Sequence, residues 1–504
     1  MDTITNIHSI SVTQSQLKRC RAQLGVYLQK FRNRLKGKNR IYVAQVVRLI
    51  DSVSSYLDVK AAGKQATEGI VQIGDLIAGK GVDQINLSKL MLYLQESKLA
   101  RKVEGYVTYI QEQASRENAK LDQQQHVSTM PVLNYVQSFF QTLTNPAAEG
   151  CFFYEKTESN DMALKYMLLD PTHHFRQVVE EARAVILIGG TMSPVSLLGH
   201  YSSSGLWLID AQMDDYVRHL FDYVDPSRLK TFSCGHIIPK GNLDATPVAK
   251  GPGGVEFDFT YEKRNSSVMI ETLGRCLIEL SSTIPDGLVV FFPSYAYLDH
   301  VVARWQTNSA RITKNIWDHL ITIKPIFRES KTTIGADDVL GQYSQAIATG
   351  KGGLLLSVIG GKMSEGINFS DALGRGVVVV GLPFPNIQSA QWKKKLEYIE
   401  QITTKRTGER EDGQVAARDF YENACMRAVN QSIGRAIRHK DDYASILLLD
   451  RRYKAARIEG KLPGWIRQCI TPGSESDDFQ QTTNRLRLFF ESKEKESKER
   501  IRVR

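Results

Sequence analysis

The sequence predicts an α/β protein, a parallel sheet wound with helices and preceded by a mostly helical module. Two observations predict it. After residue 131, short continuous apolar runs recur and several end in glycine-rich turns. Before it, residues 1–130 contain none of the 15 prolines, and apolar residues fall at helical spacing. The size fits: 504 residues leave room for several domains at about 100–200 residues each. The 42% apolar content supplies cores. No apolar run is long enough to span a membrane. The start, MDTITNIHSISV, lacks the basic and apolar regions of a signal peptide. The six cysteines, at 20, 151, 234, 276, 425 and 469, form no CxxC, which disfavours a disulfide scaffold and fits a reducing compartment.

In the first module, Leu17, Leu24, Leu28 and Leu35, with Phe31, mark one helix. Val46, Val47, Ile50, Val53 and Leu57 mark a second, Leu87 to Leu99 a third, and Gln111–Gln125 a looser link. Nine Lys or Arg residues and one acid, Asp2, occupy residues 1–40. The basic face that includes Arg32, Arg34 and Lys36 is suited to phosphate; the alternative is a solvated face over an apolar stripe. The whole chain has 65 Lys and Arg against 55 Asp and Glu, a net charge of +10, which favours an anionic partner.

Strands follow in order at Ala184–Ile188, Leu288–Phe292, Leu354–Ile359, Val377–Gly381 and Ser445–Leu449, the last four in one domain. Their runs are continuous, as in strands buried on both faces. Val255–Lys263 alternates and reads as an edge strand. The turns GGTMSP (Gly189–Pro194), GGKMSEGINF (Gly360–Phe369) and GLPFPN (Gly381–Asn386) follow three of these strands. Ligands of open α/β sheets bind at such carboxyl ends. Then comes QSIGRAIRH, Gln431–His439. A helix brings Gln431, Arg435 and Arg438 to one side, and Gly434 permits close approach. Two guanidiniums and an amide there suit a polyphosphate. The alternative is an ion-pair network.

QSIGRAIRH resembles the last motif of superfamily-2 helicases, GGKMSEGINFSD (360–371) the motif before it, and GGTMSP the third motif of a first motor domain. VVFFPSY (Val289–Tyr295) is similar to the opening of a second motor domain. Together they resemble the iron–sulfur DNA helicases of the xeroderma pigmentosum group D type. KMSEGINFSD, GLPFPN and AVNQSIGRAIRH are most like the chromosome-loss, or DEAD/H-box-11-like, sister-chromatid-cohesion branch. The resemblance implies RecA-like P-loop-NTPase-type motor domains, the first one incomplete here. The implied boundaries are an Arch-like helical module at 1–130, a return to motor domain 1 at 131–200, motor domain 2 at 201–472, and a charged, disordered tail with a short docking helix at 473–504.

The departures are as informative. The 504 residues contain no GxxxxGK followed by Ser or Thr and no DEAH or DExH box. The first motor domain therefore lacks its phosphate cradle and Mg²⁺-binding acid. None of the six cysteines corresponds to the family's four 4Fe-4S ligands, and no metal ligand is assigned. The segment Asp2–Leu17 resembles the sequence just after the acidic box, so the chain reads as a fragment, short isoform or truncated gene model.

By resemblance, Arg435 and Arg438 are the γ-phosphate and finger arginines, and Gln431 senses γ-phosphate and attacking water. Glu365, Gly366 and Asn368 lie in the motif coupling nucleotide to DNA. Gly190, Thr191 and Ser193 match the motif coupling hydrolysis to movement, with a capping role for Thr191 as the alternative. Ser294 and Tyr295 sit near single-stranded DNA; a core or interface position is the alternative for Tyr295. Lys362 contacts backbone phosphate, Met363 packs, and His439 supports Arg438 or simply ends a helix. The implied function is an ATP-dependent, 5′ to 3′ DNA helicase (an ATP hydrolase) of the nucleus, in sister chromatid cohesion, DNA replication-fork maintenance and DNA repair. ATP and Mg²⁺ serve the intact enzyme. The implied partners are single-stranded and forked DNA, cohesin and replication-fork proteins, with no membrane. The alternative is a catalytically inactive fragment that binds nucleic acid or protein.

Overall fold

Leu17, Cys20, Leu24 and Tyr27 bury one face of the helix Gln14–Phe31, which passes into a 3-10 turn over Arg32–Arg34. This helix opens a computed structural model that describes residues 9–35, 37–63, 67–78, 81–117, 132–145, 149–157, 159–187, 221, 223–230, 238–307, 315–331, 336–363, 369–435, 439–470 and 478–503. The chain forms two compact units, Met1–Ala184 with Asn386–Gly408, and Val185–Pro385 with Glu409–Arg504.

In the first unit the second predicted helix runs Lys38–Ala62. The third ends at Ser97, where Lys98 takes a left-handed backbone (φ 51°). A further helix, Leu99–Glu117, occupies the start of the expected loose link. The module is also less purely helical than its sequence suggests. Strands β1 (Ile10–Thr13), β2 (Glu68–Val71), β3 (Gly150–Lys156) and β4 (Met162–Leu168) form an antiparallel sheet in the order β1-β4-β3-β2. No boundary therefore separates residues 1–130 from the β3–β4 hairpin. Alternation divides the hairpin's faces. Phe152, Tyr154, Leu164 and Tyr166 join the helical core. Phe153, Met167 and Leu169 pack instead with Ala390 and Tyr398 of the helix Ala390–Thr407. The backbone amide of Ala390 donates to Glu68 at 3.1 Å, and Gln391 donates to Glu155 at 3.0 Å. These contacts correct the 201–472 boundary, because they place residues 386–408 with the first unit.

The second unit is built on a six-stranded parallel sheet: β5 (Leu243–Val248), β6 (Gly287–Phe292), β7 (Ile326–Arg328), β8 (Gly353–Val358), β9 (Gly376–Val380) and β10 (Ala444–Leu449). Its order is β5-β10-β9-β6-β8-β7. The α/β expectation and four predicted strands are borne out. Val290, Phe292, Leu356 and Val380 face the helices Ser267–Thr283 and Tyr295–Gln306. Val289, Phe291, Leu355 and Val379 face the helix Arg410–Ile433 and Tyr343. The chain leaves β6 toward β7 and β8, then crosses to β9 on its other side. That reversal creates a switch point between β6 and β9, where loops diverge and ligands bind.

Three expectations are corrected. Val255–Lys263 is not an edge strand: it makes one isolated bridge, Lys250 with Glu256, and wedges Phe257 and Phe259 into the core. The edges are β5 and β7. Ala184–Leu187 forms no strand, and Ile186 is 77% exposed; a parallel strand needs hydrogen-bonded neighbours, and none is paired with it among the described residues. Ile188 lies outside them. Finally, Phe479–Val503 forms a continuous helix of 25 residues where a disordered tail with only a short docking helix was expected. Its residues Phe479, Leu486 and Phe490 join the core, and apolar burial offsets the ordering cost that the charged composition suggested was unmet.

Candidate functional site

At the carboxyl end of β6, Ser294 caps the helix Tyr295–Gln306 by accepting from the Tyr297 amide at 3.2 Å. The Tyr295 hydroxyl turns inward and donates to Glu329 Oε1 at 2.7 Å. Burial, then the Glu329 carboxylate, push this phenol up to about 12, against an opposing contribution from the Lys362 amide. Tyr295 is thus half-buried and packed against the core, the alternative reading of this residue.

Glu329 sits just after β7 and is 2% exposed. Its Oε1 also accepts from the Met363 amide at 3.1 Å, and its Oε2 accepts from Ser357 Oγ at 2.6 Å and the Val358 amide at 3.0 Å. A carboxylate can accept from four donors, which an amide side chain cannot reproduce. The turn after β8 wraps over it. A Cβ on Gly361 would lie 2.5 Å from Glu329 Oε1, so a side chain there does not fit. Met363 is buried and packs, while Lys362 between them is exposed.

The helix Arg410–Ile433 ends with Ile433 buried, Gln431 exposed and Arg435 half-buried just beyond it. Neither Gln431 nor the Arg435 guanidinium has a side-chain partner among the described residues, which leaves both able to meet an anion. The backbone ties this end to the loop before β9: the Phe369 amide donates to the Arg435 carbonyl at 3.1 Å. A polar clamp continues the connection. Asp442 is buried and accepts from Arg375 Nη1 at 2.9 Å, from its neighbour's amide at Tyr443 at 2.9 Å, and from the Asp371 amide at 3.2 Å. Arg375 also lies 3.7 Å from the Tyr443 ring centroid. His439 Nε2 is 2.9 Å from Asp371 Oδ1. His439 therefore binds across to the other loop, and the sequence reading missed Asp371, Arg375 and Asp442. The spacing of Asp371 and Arg375 in SDALGR was the available signal.

Several predicted residues lie outside the described residues: Gly190, Thr191, Ser193, Glu365, Gly366, Asn368, Arg438 and Lys36. Arg32 is placed by its backbone alone. Arg34 is exposed, with its guanidinium 5.7 Å from the Phe31 ring centroid. Part of the basic face is neutralised, because Lys18 pairs with Asp58 at 3.0 Å and Arg21 with Asp51 at 2.8 Å.

Asp371, His439 and Asp442 are close enough to resemble a metal group, their ligand atoms lying within 4.8 Å of one another. The Asp442 oxygens are nevertheless already engaged by Arg375 and backbone amides. The described cysteines do not fit a four-thiolate cluster: Cys20, Cys276 and Cys425 are buried separately, and Cys151 and Cys469 stand half-buried, all unbridged. Gln431 and Arg435 fit an ATP phosphate by charge and donor type.

A second network closes the loop after β5. Asp450 accepts from the Phe259 amide at 3.1 Å and two bonds from Arg452, at 2.8 and 2.7 Å. Burial would raise the Asp258 carboxyl, but hydrogen bonds from Lys263, Thr260 and Arg451 hold it well below the usual carboxylate range.

The parallel α/β fold of the second unit agrees with the comparisons to known proteins. Residues 277–469 match the helicase C-terminal domain. An ATP-dependent DNA helicase chl1 of Aspergillus clavatus is 52% identical over 497 residues, covering 97% of this chain and 65% of the relative. An ATP-dependent DNA helicase CHL1 of Coccidioides immitis is 52% identical over 500 residues, covering 98% and 55%. One from Debaryomyces hansenii is 39% identical over 495 residues, covering 98% and 56%. The chain thus spans about half to two thirds of the length of these relatives. Among solved structures, S. tokodaii Xpd4 shares the fold, with a TM-score of 0.50 at 16% identity over 92% of this chain and 73% of that one.

Proposed function

We propose, from the premise that this chain is a relative of the DNA helicases named CHL1, that it carries the second motor domain and DNA-contacting helical module of an ATP-dependent DNA helicase. The observation that carries this reading is the joining of the segment before β9 to the segment before β10, at the amino ends of these parallel strands. The Phe369–Arg435 bond and the Asp371–His439 and Arg375–Asp442 contacts link the flanks of the segments containing Glu365–Asn368 and Arg438. Anything that moves one flank is transmitted to the other, as coupling of nucleotide to DNA requires. Gln431, Arg435 and Arg438 act on the ATP phosphates; Lys362, with Arg32, Arg34 and Lys36, contacts strand phosphates. Gly190, Thr191 and Ser193 couple hydrolysis to movement. Mg²⁺ and the phosphate cradle belong to the longer enzyme. The proposed substrates are single-stranded and forked DNA, translocated 5′ to 3′. The proposed setting is nuclear, in sister chromatid cohesion, replication and repair, with cohesin and replication-fork proteins as partners.

The test is Arg438→Ala in the longer enzyme. DNA-stimulated ATPase falls at least about tenfold, roughly 1.4 kcal/mol, while nucleotide-free DNA affinity and the thermal melt hold. Equal loss of fold and both activities makes Arg438 a structural ion-pair residue. The absence of a GxxxxGK followed by Ser or Thr, and of a DEAH box, favours a second reading for the 504-residue polypeptide taken alone: it binds nucleic acid or protein without hydrolysing ATP. Phosphate release measured with single-stranded DNA and Mg²⁺ stays at background; helicase-like turnover would overturn this reading.

A further inference from the structure

The Glu329 carboxylate lies under the turn after β8 and has four donors around it, two from each side of that turn's foundation. Ser357 and Val358 belong to the end of β8, Met363 to the far end of the turn, and Tyr295 to the first residue of the helix after β6. One buried side chain therefore joins the carboxyl ends of β6, β7 and β8. The turn has no slack above it, because a Cβ on Gly361 would lie 2.5 Å from Glu329 Oε1 and 2.7 Å from the Tyr295 hydroxyl. Its backbone closes on itself through the Gly361 amide and Val358 carbonyl at 2.9 Å. Met363 is 1% exposed and pins the far side. The exposed group on this fixed turn is Lys362.

We propose that Glu329 is a positioning residue for nucleic-acid binding: it fixes the turn Ile359–Met363, so that Lys362 is presented to a strand phosphate. Tyr295 is a strut of the same device, with its hydroxyl committed to Glu329. The proposal rests on the DNA-binding reading above and adds the residues that hold the contact. Glu329→Gln is nearly isosteric but replaces one acceptor oxygen by an amide that faces donors. Either the Met363 amide or the Val358 amide then loses its acceptor, because only the Tyr295 and Ser357 hydroxyls can turn to accept from the new amide, and the turn is released.

The experiment uses the full chain and fluorescence anisotropy with a fluorescein-labelled oligo(dT), over a salt series, beside thermal melts. Lys362→Ala weakens binding severalfold and lowers the salt slope by about 0.7, the loss of one phosphate contact on a single strand. Glu329→Gln produces a comparable loss, and Lys362→Ala added to it has little further effect. Tyr295→Phe, which keeps the ring and the carboxylate, gives a partial loss that is likewise non-additive with Lys362→Ala. It supplies the answer if Glu329→Gln fails to fold. Wild-type chain that does not bind oligo(dT) overturns the DNA-binding reading itself. Wild-type binding with full additivity between Lys362→Ala and either partner overturns the positioning role alone, leaving Glu329 a fold residue.

Discussion

Asp442 has no exposed side-chain surface, and its partner Arg375 is 10% exposed. Removing the charge of Asp442 leaves a guanidinium buried beside a tyrosine ring with a weaker acceptor. Asp442→Asn is therefore expected to cost about 3–5 kcal/mol in urea unfolding, the usual penalty for breaking a buried pair. A cost below about 1 kcal/mol, the range of surface pairs, would show the clamp to be solvated. Lys324 makes a separate prediction. Its ammonium donates to the carbonyls of Ile284 at 2.6 Å and Asp286 at 2.7 Å, and burial lowers it from 10.5 to about 8. Below about 8 both folded and unfolded states carry the proton, and the folded state bears the buried charge. As pH rises from about 8 toward 10.5, the folded state releases its proton first, the unfolded state binds more, and stability rises. Wild type should gain on Lys324→Met when urea unfolding at pH 10 is compared with pH 7; a gap that does not move means the amine is not desolvated. Neither residue was legible beforehand. Asp442 stands in a run of charged residues that reads as surface, and its partner is remote in sequence. Glu329 was missed for the same reason, whereas Gln431 and Arg435 were singled out by their four-residue spacing, although the helix expected to carry both ends at Ile433, before Arg435.

The helix Phe479–Val503 buries Phe479, Leu486 and Phe490 and lays Arg485 against β5, where it pairs with Asp244 at 3.0 Å and bonds Thr246. It packs on the face of the sheet beside the helix Ser267–Thr283, while the backbone of the edge strand is met by a bridge from Ala245 to Ile470. Leu486→Ala is expected to destabilise the second unit by about 2–5 kcal/mol, as large core truncations do, read as a lower urea midpoint with an unchanged slope. An unchanged midpoint would mean that the helix is held by its charges. The element also explains what the sequence conceals. β6, β8, β9 and β10 are legible because strands buried on both faces must be apolar throughout. β5 reads LDATPV because Asp244 and Thr246 face Arg485 and Pro247 is tolerated on an edge strand. β7 has only three residues. The helix itself was obscured by its acids and bases, although Phe479, Leu486 and Phe490 recur at helical intervals.

For the molecule as a whole, the proposed DNA binding, with the net charge of +10 and the exposed Lys362 and Arg34, predicts a salt-sensitive affinity for single strands. Anisotropy titrations from low to high salt should show log affinity falling linearly with log salt, with a slope of about −0.7 for each phosphate neutralised. A flat response would place binding outside electrostatics. The broad architecture was legible, but the division of the chain was not. Residues 386–408 read as part of one continuous α/β domain, and only Glu68, Glu155 and the Phe153 cluster reveal that they serve the other unit. This membership has a genetic consequence. The polypeptide passes between the units three times, near residues 184, 385 and 408. Neither unit is therefore encoded by a single uninterrupted stretch of message. A recombination event or a protease cut near 184 would deprive the first unit of the helix over Phe153 and Met167. A lineage exchanging one of these units for a homologous version would have to carry both pieces together, and complementary changes at Tyr398 and Met167 should be inherited as a pair.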